Sequence, residues 1–229
     1  MLCQSLTRER VTIEGRERFT GELAYDEQAV PVASALLLCP HPFMGGTMEN
    51  NVIRHLAVVL AEAGLVTLRF DYAAISDTDL AANMASFWQT GHAPHDAALI
   101  EDARHAEAWL KQQFGLPEVL MGYSFGAHVA ASLLDKSSVA VVTIAPTVVH
   151  HDLTPLCTAR TPKLVIYSNN DFATPQLATD TWYAGLAEPK RKRCLIGGDH
   201  FYKRQETDVA EAVTSFLRPL LPGMKGNVA

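Results

Sequence analysis

The chain has 229 residues, 48% hydrophobic and 19% charged, which supplies one sizeable α/β core and leaves little room for a second. With 19 Lys and Arg against 25 Asp and Glu, the net charge is −6 and both signs are scattered. There is no basic stripe for a phosphate backbone and no polybasic membrane patch, so nucleic acid and membrane are excluded as partners. No run approaches the roughly 18 apolar residues of a membrane span, and the first ten residues are polar, so a cytoplasmic protein is expected. Cys3, Cys39, Cys157 and Cys194 form no C-x-x-C pair. Free thiols in a reducing compartment fit them best.

In chain order, the short alternating runs Val11 to Ile13 and Phe19 to Leu23 flank a turn-prone Glu14-Gly15-Arg16 and predict an antiparallel edge hairpin. Val32 to Cys39 is almost continuously apolar, as in a strand buried on both faces. A Pro- and Gly-rich loop follows. Ile53, Leu56, Ala57, Leu60 and Ala61 then recur at helical spacing over Asn50 to Ala63, Gly64 stands at the C-cap, and Leu65 to Phe70 returns to strand. Between Asp71 and Pro94 the pattern is less regular. Leu80, Met84, Phe87 and Trp88 fall at i, i+4, i+7 and i+8, so residues 71–94 are a candidate lid inserted in a single domain spanning 1–229, with packing on the body as the alternative.

A helix is expected over His95 to Phe114, then a strand at Val119 to Met121 and a helix at Ala127 to Leu134. Apolar runs at Val139 to Ala145, Lys163 to Ser168 and Arg193 to Ile196 alternate with helical segments at Gln176 to Leu186 and Thr207 to Leu217. Such alternation predicts right-handed crossovers and a mostly parallel sheet covered on both faces, with functional loops at the carboxyl ends of the strands.

The turn Gly122-Tyr123-Ser124-Phe125-Gly126 lies between the fifth apolar run and its helix. A Gly-x-Ser-x-Gly sequence in a strand–turn–helix setting is a nucleophile elbow, in which the serine is held strained with its hydroxyl exposed. A serine needs a base, and the base needs an acid to fix its tautomer. The chain order that accompanies such an elbow is Ser, acid, His. Asp171 lies just past the strand at Lys163 to Ser168, and His200 just past Arg193 to Ile196. Asp171 also fits a helix N-cap, and Asp152 is the second candidate for the acid. Oxyanion donors are expected at the Phe125 N–H and, since Pro42 has none, at Phe43 or Met44 in the loop Pro40 to Gly46.

His41 is expected to brace that loop, and His41, Met44, Tyr123, Phe87, Trp88 and His150 to line the substrate site. The trio His150-His151-Asp152 and the pair His92 and His95 lack the spacing of a zinc site, so no metal and no cofactor is expected.

The segments Cys39-Pro40-His41-Pro42-Phe43-Met44-Gly45-Gly46-Thr47-Met48-Glu49-Asn50, Gly-Tyr-Ser124-Phe-Gly, Asp171-x-x-Thr174-Pro175 and Gly-Asp-His200-Phe-Tyr resemble the compact α/β-hydrolases with a serine triad, of the esterase and dienelactone-hydrolase kind. The resemblance covers nearly the whole chain and departs at Asp71 to Pro94. It implies about eight strands, Ser124 as nucleophile, Asp171 as acid, His200 as base, and Phe43 and Phe125 as oxyanion donors. The implied activity is hydrolysis of a carboxylic ester or thioester, the partner a small-molecule substrate. A lyase, cyclase or acyltransferase using the same residues, and a homodimer, stay open.

Overall fold

The computed structural model describes residues 6–73, 80–90 and 95–226, apart from the side chains at 80–82 and 88. Eight strands form one sheet in the order β1-β2-β4-β3-β5-β6-β7-β8. They are β1 (Leu6–Ile13), β2 (Phe19–Asp26), β3 (Ala33–Leu38), β4 (Leu65–Phe70), β5 (Glu118–Tyr123), β6 (Ser138–Ile144), β7 (Lys163–Ser168) and β8 (Lys190–Leu195). The hairpin β1–β2 joins the sheet antiparallel to β4, and every other pairing is parallel. The expected edge hairpin and mostly parallel sheet are both present.

The helices are α1 (Asn51–Glu62), α2 (Leu80–Thr90), α3 (Asp96–Phe114), α4 (Phe125–Leu133), α5 (Thr154–Thr158), α6 (Gln176–Ala184) and α7 (Glu206–Leu217). α1 packs with α7 on one face, α3 with α4 on the other. β3, β4, β5 and β7 are buried along their whole length, which is why their sequences are nearly continuous apolar runs. α1 opens where the Asn50 side chain accepts from the N–H groups of Val52 and Ile53, and buries its Ile53, Leu56, Ala57, Leu60 and Ala61 stripe as the spacing predicts.

Three elements differ from the sequence expectation. β8 begins at Lys190 rather than Arg193, because it is an edge strand whose exposed Arg191, Lys192 and Arg193 carry no apolar signal. The loop after β3 contains a 3₁₀ turn at Pro42–Met44, and α5 is a single short turn begun by Thr154-Pro155. Both are too short for periodicity to register.

The strand order places the functional crevice. From β3 the chain passes through α1 to β4 on one side, then returns through α2 and α3 to β5 on the other. The loops leaving β3 and β5 diverge at their carboxyl ends, and a crevice opens between them. The loop after β3 is fixed from behind by Arg69 of β4, which is buried, pairs with Glu22 at 2.5 Å and with Glu49 at 3.2 Å, and donates to the Met48 carbonyl. Asp71 accepts from the Met48 N–H at 2.7 Å.

At the opposite end of β5, the buried Glu118 carboxylate lies 3.2 Å from Lys111 Nζ, which also meets Glu107 at 2.6 Å and Asp135 at 3.5 Å. Burial, reinforced by the Glu107 charge, pushes the Glu118 carboxyl up to about 8. A carboxyl raised above its unfolded value of 4.5 gives stability that is whole below that value and lost as pH rises through about 8. Glu118→Gln, which cannot ionise, is therefore expected to gain on the parent in Tm as pH rises from 4.5 to about 8. A Tm difference that stays constant across that range would contradict the assignment.

Candidate active site

Ser124 stands between β5 and α4 with φ 57° and ψ −117°, a conformation that costs a non-glycine residue about 1–3 kcal/mol. Close packing on both sides holds it there. A Cβ on Gly126 would lie 2.1 Å from the Leu38 carbonyl oxygen of β3, and one on Gly122 would lie 2.0 Å from the Gly126 carbonyl oxygen. Only glycine permits that approach, and the Ser124 N–H is anchored at 2.8 Å on the Ile144 carbonyl of β6.

Ser124 Oγ is 2.9 Å from His200 Nε2, and His200 Nδ1 is 2.9 Å from both oxygens of Asp171. The three side chains sit on the loops after β5, β8 and β7, and the loops are tied to one another. Asn169 Oδ1 accepts from the Gly197 N–H at 2.8 Å, joining the acid loop to the histidine loop. Thr174 Oγ1 donates to the Pro146 carbonyl at 3.2 Å, joining the acid loop to the end of β6. Asp171 Oδ1 also accepts from the N–H groups of Ala173 and Thr174, so the carboxylate is oriented before it meets the histidine. The helix that follows starts at Gln176 with Pro175 as N-cap, so Asp171 does not cap it. The other candidate acid, Asp152, lies on the loop after β6, where its carboxylate accepts from the Thr154 N–H at 2.8 Å, while His200 is paired with Asp171.

Phe125 is the first residue of α4, so its N–H has no carbonyl one turn back to receive it. The loop after β3 behaves differently from expectation. The Phe43 N–H donates to His41 Nδ1 at 3.1 Å, and the Met44 N–H to the His41 carbonyl at 2.9 Å. Both expected donors are engaged, because the turn brings His41 acceptors closer to these amides than the crevice.

The serine and histidine border a cavity of about 590 Å³. His41, Met44, Tyr123, Phe87 and His150 line it, and Phe87, Gln89 and Thr90 bring α2 to its wall. The Trp88 side chain, His92 and Pro94 lie outside the described part of the structure. The Tyr123 ring is buried and its hydroxyl donates to the His200 carbonyl, so this residue holds the His200 loop as well as lining the space.

Sequence reasoning missed Phe172, Phe201, Thr147 and His151. The first two directly follow the acid and the base, a signal that adjacency offered. They are 60% and 42% exposed, with ring centroids 5.5 Å apart, and form an aromatic rim. His151, whose Nδ1 is 2.8 Å from Thr147 Oγ1, is pushed down to about 4 by burial, against the opposing pull of the Asp96 charge. His151 therefore adds no charge to this wall at neutral pH. No Lys, Arg, Asp or Glu is among the described residues that line the cavity. Among the described residues no group of three or more His, Cys, Asp and Glu has the arrangement to hold a metal ion, and no helix is long and apolar enough to cross a membrane.

The elbow geometry makes Gly126→Ala a direct test. A methyl group meeting the Leu38 carbonyl must push α4 off β3, so unfolding free energy should fall by at least about 1–3 kcal/mol, with a lower Tm in thermal melts. An unchanged Tm would show that the elbow has slack.

No family model matches the chain. It is 22% identical over 195 residues, 80% of this chain and 77% of the other, to an uncharacterized protein of Rickettsia prowazekii (strain Madrid E). Among solved structures it is similar to an alpha-beta serine hydrolase homologue from Coxiella burnetii, with a TM-score of 0.78, 21% identity, and 95% and 99% of the two chains covered. It is likewise similar to a serine hydrolase without lid from Xanthomonas campestris, with a TM-score of 0.78, 23% identity and 94% and 95% covered. A dienelactone hydrolase from Anabaena variabilis matches with a TM-score of 0.75, 20% identity and 96% and 100% covered. Strand order, crossover pattern and these neighbours together establish that the chain has the α/β-hydrolase fold.

Proposed function

We propose that the protein is a serine hydrolase that cleaves uncharged carboxylic esters or thioesters through an acyl-enzyme. The observation that carries this reading is the continuous line of hydrogen-bonding distances from Ser124 Oγ through His200 to Asp171 at the edge of an apolar cavity. Ser124 Oγ attacks the substrate carbonyl carbon while His200 Nε2 takes its proton. Asp171 accepts from Nδ1–H throughout, which keeps Nε2 available as the base and stabilises the imidazolium once formed. The Phe125 N–H, at the positive end of α4, receives the developing oxyanion. As the tetrahedral species collapses, His200 returns the proton to the departing alkoxide or thiolate. The cycle then repeats with water as nucleophile, releasing the acid and the free serine.

Substrate class follows from the cavity. Met44, Phe87, Phe125, Phe172 and Phe201 give it apolar walls, while Asn50, Gln89, Thr90 and Thr147 supply neutral polar groups. A carboxylate or phosphate inside it would lose water and gain no cationic partner among the described lining residues, so neutral acyl groups are favoured. The place of Phe87, Gln89 and Thr90 on the cavity wall supports α2 as a lid over the crevice.

Hydrolysis of neutral aryl esters of increasing acyl length should be measurable in the parent protein. Ser124→Ala should retain its fold and lose about 10³-fold or more in kcat, as expected when the nucleophile is removed. Comparable turnover by Ser124→Ala would overturn the proposed mechanism.

A further inference from the structure

His41 is a second densely contacted histidine at the crevice, and its carboxylate partner is Asp96. The imidazole is only 2% exposed. It is stacked on Phe87 of α2 at 5.3 Å, meets Phe125 edge-on at 4.8 Å, and lies 4.7 Å from the Phe43 ring. Its Nδ1 accepts the Phe43 N–H at 3.1 Å, and its Nε2 is 3.2 Å from Asp96 Oδ1. An N–H can be received only by a bare nitrogen, so Nδ1 carries no proton, the ring is neutral, and its proton is on Nε2. A carboxylate can only accept, so Asp96 selects that same tautomer from the other side. Asp96 is the first residue of α3, where the helix N–H dipoles favour an anion.

We propose that Asp96 is a positioning residue for the oxyanion loop, acting through His41. By holding the proton on Nε2 it keeps Nδ1 open to Phe43, and this fixes the 3₁₀ turn Pro42–Met44 that forms the crevice wall opposite α4. The arrangement parallels the acid and base of the main site without touching them: a carboxylate sets the tautomer of a histidine, and the histidine sets the direction of a backbone amide. If the proton moved to Nδ1, it would confront the Phe43 N–H donor to donor, and the turn would be forced open. The proposal rests on the ester-hydrolase reading for its catalytic consequence, but not for the tautomer.

The test combines kinetics with ¹⁵N NMR of the histidine rings, the His41 signals being assigned by their loss in His41→Gln. The parent should show the Nε2–H tautomer at His41. Asp96→Asn, whose amide can donate to Nε2, should shift the ring towards Nδ1–H. Its kcat on a neutral aryl ester should fall by about tenfold to a hundredfold, as when an outer partner that orients a histidine is lost. KM should stay within about twofold, and Asp96→Glu should recover much of the rate. An Nδ1–H ring in the parent, or an unmoved tautomer in Asp96→Asn, would overturn the proposal. So would a rate loss that follows a fall in Tm and is not recovered by Glu. Should the parent hydrolyse no ester, the ester reading fails by itself and the two tautomer spectra decide this proposal alone.

Discussion

The site depends on how closely α4 approaches the end of β3. Gly126 brings helix backbone to the Leu38 carbonyl, and Gly122 brings strand backbone to the Gly126 carbonyl. With both contacts made, the chain between them has no relaxed conformation, and Ser124 takes φ 57°. That strain, about 1–3 kcal/mol, is offset by the surrounding core, where Met121, Tyr123, Phe125 and Ala127 are all buried. It lifts the serine Oγ clear of the sheet and leaves the Phe125 N–H without an internal partner. In the proposed mechanism, nucleophile and oxyanion donor are thus two consequences of one packing constraint.

Around this point the protein fixes loops rather than helices. Arg69, paired with Glu22 and Glu49, holds the Met48 carbonyl and so the far end of the oxyanion loop. Removing Arg69 would leave the buried Glu22 carboxylate with only the exposed Arg10 at 3.5 Å, so this cluster is a rigid base and not a movable one. His41 holds the near end. The acid and histidine loops, tethered through Asn169 and Tyr123, converge on the serine from the other side. Preorganisation of this kind is what electrostatic stabilisation of a transition state requires, because no group has to reorient as charge develops.

Much of this was legible in the sequence, and the limits have physical causes. That Ser124, Asp171 and His200 would come together could be read because the chain order of a parallel sheet fixes which loops share its carboxyl edge, wherever the loops themselves wander. β3, β4, β5 and β7 announced themselves by burial on both faces. β8 began three residues early because its Lys and Arg run protects an open edge, a role that looks like loop in a hydropathy pattern. The engagement of Phe43 by His41 was hidden, since residue type says that Pro42 lacks an N–H but not where the next N–H points. Asp96 lies 55 residues from His41, and nothing local links them. Pairings of that kind are made by the fold and have no sequence signature.

The central claim is that Ser124, activated by His200 and Asp171, forms a covalent acyl-enzyme. Intact-mass spectrometry of the protein mixed briefly with an activated neutral aryl ester, followed by peptide mapping, tests it most directly. The account predicts one acyl group per chain, on the peptide containing Ser124, formed far more slowly in His200→Ala. Acylation at another residue, or at an equal rate without His200, would contradict it.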